Sequence, residues 1–456
     1  MSSTRSAGRN INMTEGPLFK SIILYSIPII LTNILQLLFN AADLAVVGHF
    51  CGSDSVAAVG AATPPVHLLI NFFFGISMGV SVAVAYAVGH KDDESVFKLT
   101  HTAIPAALIS GAVMMLIGVL GARLFLTWMG TPEKVLERSI AYMQIYFAGS
   151  IFITLFNFGA ALLRAEGDSR SPLYYLTFAG VLNVGLNVLF VTAFSMDAPG
   201  VALASTISQG VSAALVLIRL MRNEERYRFR PKQMMMDGPS IRKILSIGVP
   251  AGAQTSLFSL ANVIIQSSIN SFGKVVVAGN SAAYSIIAFQ YSAMNSVQQT
   301  AMNFTSANYG ARNVERMKKT GIHCLIFVAI IGISLGILIN VFAEPLLSIF
   351  ITDSAEAVEY GKVRMLYLGL PYFICGFQEI LSGIIRGLGE SLVPMVICLM
   401  GACVYRIVWV FTVFQMPAFH TLGGLYITYP ISWVLTLTAL IIALKIIWNK
   451  KVTGKM

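Results

Sequence analysis

Residues 18–47 read LFKSIILYSIPIILTNILQLLFNAADLAVV. At 1.5 Å rise per residue a helix needs about 20 residues to cross the hydrocarbon core of a bilayer, so this run is long enough. Its apolar character is interrupted on one side only. Asn33, Gln36, Asn40 and Asp43 recur at i, i+3, i+7 and i+10, which at about 100° per residue is one helical face. That stripe ends in a carboxylate and looks at something other than lipid. Pro28 stands fifteen residues before Asp43, where it removes a backbone donor and favours a kink.

The whole chain has the same greasy character. Of its 456 residues 56% are hydrophobic and 11% charged, against roughly 25% charged in soluble domains. This composition describes a polytopic membrane protein, and no polar stretch is long enough for a separate soluble domain. The first fifteen residues lack the apolar core of a signal peptide, so the first span is expected to be retained. A net charge of +10 does not point to nucleic acid, because the basic residues are divided among loops rather than interleaved with aromatics. Cys51, Cys324, Cys375, Cys398 and Cys403 show neither CxxC nor metal-ligand spacing and read as packing residues.

Further spans are read at about 56–88, 96–120, 135–160, 173–194 and 201–220, then at 244–270, 275–307, 321–342, 358–385, 392–414 and 422–448. The expectation is an all-α membrane fold of twelve transmembrane helices in two pseudo-symmetric six-helix bundles. The lobes are 1–220 and 244–456, joined by a basic linker at 221–243. Counting Lys and Arg by side puts 24 with the two termini and the linker and 6 opposite, with Arg406 inside a span. The positive-inside rule then predicts cytoplasmic termini in an inner (plasma) membrane, with the linker on the anionic leaflet.

A repeat organises these spans. LLRAEGDSRSP after the fourth span and IIRGLGESLVP after the tenth align Arg164 with Arg386, Gly167 with Gly389, Asp168 with Glu390 and Pro172 with Pro394, always 222 apart. The same offset carries Pro28 to Pro250 and Asn40 to Asn262, and Gly89 lies 221 before Gly310. Six spans per copy is an even number, so both copies start on the same side as parallel repeats.

With its proline-bearing first and seventh spans, doubled R-x-x-G-[DE]-x-x-x-P loops and NYGAR segment at 308–312, the chain resembles multidrug and toxic compound extrusion (MATE) transporters over nearly its full length. The resemblance implies a V-shaped pair of six-helix bundles exporting amphipathic or cationic organic molecules in exchange for protons or sodium ions. It implies a monomer in the bilayer, needing no cofactor beyond the coupling ion.

An ionised Asp at membrane depth is costly, so Asp43 is expected to be partnered, hydrated or protonated during part of a cycle. Archaeal and some bacterial relatives carry an acid at this place. Asn183 and Asn187, at i and i+4 on the fifth span, are the expected company, with Ser205 or Thr206 matching a family hydroxyl and Gln36 and Asn40 leading along the stripe. Relatives often have an Asp where this chain has Asn187. Other relatives put coupling acids on the seventh and tenth spans, but here the seventh is acid-free and Asp43 plus 222 is Ile265. Asn33, Gln290, Asn295, Gln298, Glu379 and Arg406 are candidates for a substrate cavity, the last two also for a structural pair, with Arg406 neutralising Glu379. The eighth-span amides serve equally as helix-joining groups. A lipid-linked sugar flippase of the wider superfamily is the alternative cargo reading. A membrane enzyme is disfavoured, since the six histidines form no catalytic motif.

Overall fold

The computed structural model describes residues 10–223, 227–352 and 354–454, so Arg5, Arg9, Arg226 and Lys455 of the charge count lie outside the described residues. Helices make up almost all of it: α1 Leu18–Phe50, α2 Ser53–His90, α3 Asp93–Trp128, α4 Glu133–Ala148, α5 Ser150–Ala165, α6 Arg170–Thr192 and α7 Ala198–Met221. After the linker come α8 Gly238–Asn270, α9 Lys274–Gly310, α10 Val314–Val341, α11 Ala343–Ser348, α12 Ala355–Arg364, α13 Tyr372–Gly387, α14 Leu392–Cys398, α15 Tyr405–Phe411, α16 Leu422–Tyr426 and α17 Thr428–Trp448.

Among the described residues nine helical stretches are long and apolar enough to cross a membrane, and two bent pairs raise this to eleven. The first pair, α4 with α5, turns by 44° at Gly149, and the second, α12 with α13, by 42° at Leu370 and Pro371, just after a π-helical stretch at Met365–Gly369. The span expected at 135–160 is therefore a broken helix. The twelfth crossing is α9, 37 residues long, which falls short on apolarity because Gln290, Gln298, Gln299 and Asn303 lie along it. All four are buried.

Contacts divide the chain into two compact units. One holds the described residues up to Met13 with Ile27–Ser256, the other Thr14–Ser26 with the chain from Leu257 onward. Both cuts run through a proline-bearing helix, α1 near Pro28 and α8 near Pro250. Inside the first unit, Gly75 and Gly79 of α2 face Gly248 and Gly252 of α8, two GxxxG pairs in mutual contact. A Cβ on Gly75 would come within 2.1 Å of the Gly252 nitrogen, and one on Gly252 within 2.2 Å of the Phe72 carbonyl oxygen. Such small faces let helix backbones touch in a membrane. Inside the second unit the Ser26 and Thr300 hydroxyls share a hydrogen bond of 2.8 Å, and Asn303 Nδ2 donates to the Tyr25 hydroxyl at 2.9 Å. Ser26 lies 222 before Gly248, and Thr300 lies 221 after Gly79. The same crossing is thus built once with glycines and once with hydroxyls.

The repeat also holds at the level of turns. Lys91 and Arg312, 221 apart, are both left-handed, with φ of 58° and 54°. Asp92 and Asn313 follow them as N-caps, each accepting from the backbone nitrogen three residues on at 3.0 Å. Gly167 and Gly389 take φ of 94° and 81° after α5 and α13, a conformation that favours glycine at a helix end. Asp168 is fully buried beside its glycine, accepting from the Ser171 nitrogen (2.9 Å) and hydroxyl (2.6 Å) and pairing with Arg219 at 3.3 Å. Glu390, half-exposed, pairs with Lys451 at 2.8 Å.

Candidate functional site

The polar stripe of α1 is drawn towards α6 by a close approach. A Cβ on Gly180 would lie 1.8 Å from the Phe39 ring, so the bare glycine face is what lets α1 seat against α6. One turn beyond Phe39, Asp43 meets the two α6 amides. Asn187 Nδ2 donates to Asp43 Oδ1, and the same nitrogen reaches Asn183 Oδ1 at 3.2 Å. From α7, Ser205 Oγ donates to Asp43 Oδ2 at 3.1 Å while accepting from Asn183 Nδ2 at 3.1 Å. The four side chains form a closed ring of hydrogen bonds about one carboxylate. Asn187 is fully buried and its Oδ1 has no partner among the described residues. Buried unpartnered acceptors of this kind are uncommon and call for a hydrogen-bond donor or a cation.

Two tyrosines complete the surroundings. The Asp43 charge bears on the hydroxyls of Tyr142 and Tyr146, whose rings stack at 6.1 Å on α4. Sequence reasoning missed them, although their i, i+4 spacing was a usable signal. Other expected members stand apart. Thr206 Oγ1 donates to the Ile145 carbonyl at 3.2 Å and so joins α7 to α4 rather than touching Asp43. Asn40 is exposed, Gln36 is half-buried, and neither hydrogen-bonds to Asp43 among the described residues. Asn33 is likewise half-buried on α1.

The candidates in the second unit separate. Gln290 Nε2 donates to the carbonyls of Gly332 (2.9 Å) and Gly369 (3.0 Å), pinning the broken tenth crossing. Asn295 accepts from Gln299 at 3.2 Å, and Gln298 is buried with neither amide atom partnered among the described residues. Glu379 is buried on α13, and the basic charge that bears on it is Arg386, on its own helix. Arg406, expected as its neutralising partner, makes no ion pair among the described residues. Its Nε donates to Ser432 Oγ at 2.9 Å, and its guanidinium lies over the Tyr429 ring at 4.1 Å. Arg406 sits just past a π-helical stretch at Leu399–Val404, whose widened turn changes which neighbours it meets.

A duplicated six-crossing helical build with broken helices, and a carboxylate held among amides on one of its apolar helices, defines a polytopic membrane protein. The MatE family model matches this chain twice, over residues 28–189 and 250–412, so the chain belongs to the MATE family, whose members are transporters and not enzymes. Over 441 residues it is 28% identical to the probable multidrug resistance protein YoeA of Bacillus subtilis, covering 95% of each chain. It is 24% identical over 392 residues to the FAD transporter of Shewanella oneidensis, covering 84% of this chain and 86% of the other. Its fold superposes with a TM-score of 0.88 on a solved outward-facing multidrug resistance MATE family transporter of the MOP superfamily, at 22% identity and 98% coverage of both.

Proposed function

We propose that the chain is a cation-coupled antiporter exporting amphipathic organic molecules by alternating access, with Asp43 the group that takes up and releases the coupling ion. The observation that carries this is the ring around Asp43: one carboxylate, two amides and a hydroxyl, with Asn187 Oδ1 left as a buried acceptor. A bare carboxylate is costly at membrane depth. A proton on Asp43, or a sodium ion held by the Asp43, Asn183, Asn187 and Ser205 oxygens, neutralises it while the site is closed. Entry of water then favours release. An all-oxygen set suits either ion, and a single acid implies one ion per cycle. The two lobes, 1–220 and 244–456, would alternate access as a monomer in the inner membrane with both termini cytoplasmic. Relatives named for drugs and for FAD differ in cargo. The cationic part of the sequence expectation therefore rests on the resemblance alone.

The test is wild-type protein in liposomes loaded with a proton-sensitive or a sodium-sensitive dye. Organic cargo added on one side should draw a counterflux of one ion and not the other. Cargo movement with neither ion moving overturns the coupling. Transbilayer movement of a lipid-linked sugar without ion flux would favour the flippase.

A further inference from the structure

The second unit buries two arginines that no carboxylate answers. Arg364, the last residue of α12, is 5% exposed, and Arg406 of α15 is 8% exposed. Neither makes an ion pair among the described residues. Arg364 Nη1 donates to Asn280 Oδ1, which also accepts from the Tyr426 hydroxyl at 3.1 Å, and its buried Nε has no partner among the described residues. Arg406 commits only Nε, to Ser432; its Nη1 and Nη2 have no hydrogen-bond partner among the described residues. A guanidinium has five donors in a planar fork that matches a carboxylate, phosphate or sulfonate.

Aromatic rings surround both. Arg364 lies over Tyr284 (5.5 Å) and Tyr426 (5.6 Å), and Arg406 over Tyr429 (4.1 Å) and Trp433 (6.0 Å). Tyr426, the last residue of α16, and Tyr429, near the start of α17, are three residues apart, so both charges lean on one short segment of chain. Tyr372 joins them: its ring meets Trp433 edge-on at 5.0 Å, and both guanidinium charges bear on its hydroxyl. Tyr284 is 55% exposed and shares a face of α9 with half-buried Tyr291 and Asn295. Among the described residues Glu379, the buried acid of this lobe, makes no ion pair with either arginine, and the Arg386 charge on its own helix bears on it. Each arginine also abuts a π-helical stretch, Arg364 immediately before Met365–Gly369 and Arg406 two residues after Leu399–Val404. Such insertions recur at functional sites.

Two buried cations in one aromatic cluster repel, and hydrogen bonds to Asn280 and Ser432 leave that repulsion standing. A shared anion removes it. We infer that the second lobe carries a binding site for an organic anion with an aromatic body, its acidic head between Arg364 and Arg406 and its ring against the tyrosines and Trp433. Calling that anion cargo rests on the transporter reading above; the binding itself does not.

The experiment is binding to full-length protein in phosphatidylcholine nanodiscs without any ion gradient, read by tryptophan fluorescence and calorimetry. The probes share one ring system: naphthalene sulfonate, naphthyl methanol and naphthylmethyl-trimethylammonium. The sulfonate should bind about tenfold or more tighter than the other two, as a charge-assisted hydrogen bond supports. Arg406→Gln and Arg364→Gln should each lose that preference, and Arg406→Lys should keep part of it. Equal binding of the three probes, or preference for the ammonium, overturns the proposal on wild-type protein alone, whatever the variants do. Displacement of the sulfonate by phosphatidylglycerol in the nanodisc would assign the site to a lipid headgroup and overturn its role in cargo. Because no gradient is applied, failure here leaves the Asp43 coupling intact, and failure of ion-driven flux leaves this site intact.

Discussion

Replacing Asp43 by Asn separates coupling from folding. The carboxylate accepts from Asn187 and from Ser205. An Asn of the same shape keeps one acceptor for the Ser205 hydroxyl, but its new amide faces the Asn187 Nδ2 donor; turning the Asn187 amide over presents its unused Oδ1 instead and gives up the bond to Asn183 Oδ1. The net change is therefore the loss of about one neutral hydrogen bond, roughly 1 kcal/mol, and thermal unfolding in detergent should move only slightly. The loss is of a charge that can be neutralised and restored. Each cation driven by a membrane potential of about 100 mV supplies roughly 2.3 kcal/mol, which at equilibrium supports about a fifty-fold gradient of a neutral cargo. In liposomes with an imposed potential and ion gradient, wild-type protein should build a gradient of that order and Asp43→Asn should fail to rise above unity. A variant that still concentrates cargo against its gradient refutes the role given to Asp43. A variant that loses transport because it has unfolded refutes the separation of coupling from folding.

Gly252→Ala should destabilise by about 1–3 kcal/mol, the range of overpacking, since its Cβ meets the Phe72 carbonyl rather than a movable side chain; unfolding melts measure it. Asp168→Asn should cost about 3 kcal/mol because it strips a buried carboxylate from Arg219, whereas Glu390→Gln at the repeated position should cost about 1 kcal/mol or less, its pair with Lys451 being half-exposed. Equal costs in parallel melts would contradict the asymmetry. Gly167→Ala should cost more than the roughly 1–2 kcal/mol of left-handed backbone, because a Cβ there meets the Ile11 carbonyl at 2.2 Å, while Gly389→Ala meets nothing nearer than Lys451 Nζ at 3.9 Å and should show the strain alone.

The sequence by itself was enough for the crossings, the repeat and the carboxylate, because each is a local or periodic property. Apolar run length marks a span, a constant offset of 222 marks duplication, and an acid in a greasy helix stands out wherever the chain goes. Asn183 and Asn187 were legible for the same reason, as polar residues one turn apart on α6. Ser205 and Thr206 were not separable, because they are neighbours in sequence and about 100° apart around α7, so only the packing against α4 and α6 chooses Ser205. The tyrosines beside Asp43 and the parting of Arg406 from Glu379 depend on broken and widened helices, whose turns shift the facing of every residue beyond them. The sharing of α1 and α8 between two compact units was also beyond the sequence. A kink proline says that a helix bends, but which neighbours its two halves pack against is settled by complementary surfaces, here glycine against glycine in one unit and hydroxyl against hydroxyl in the other.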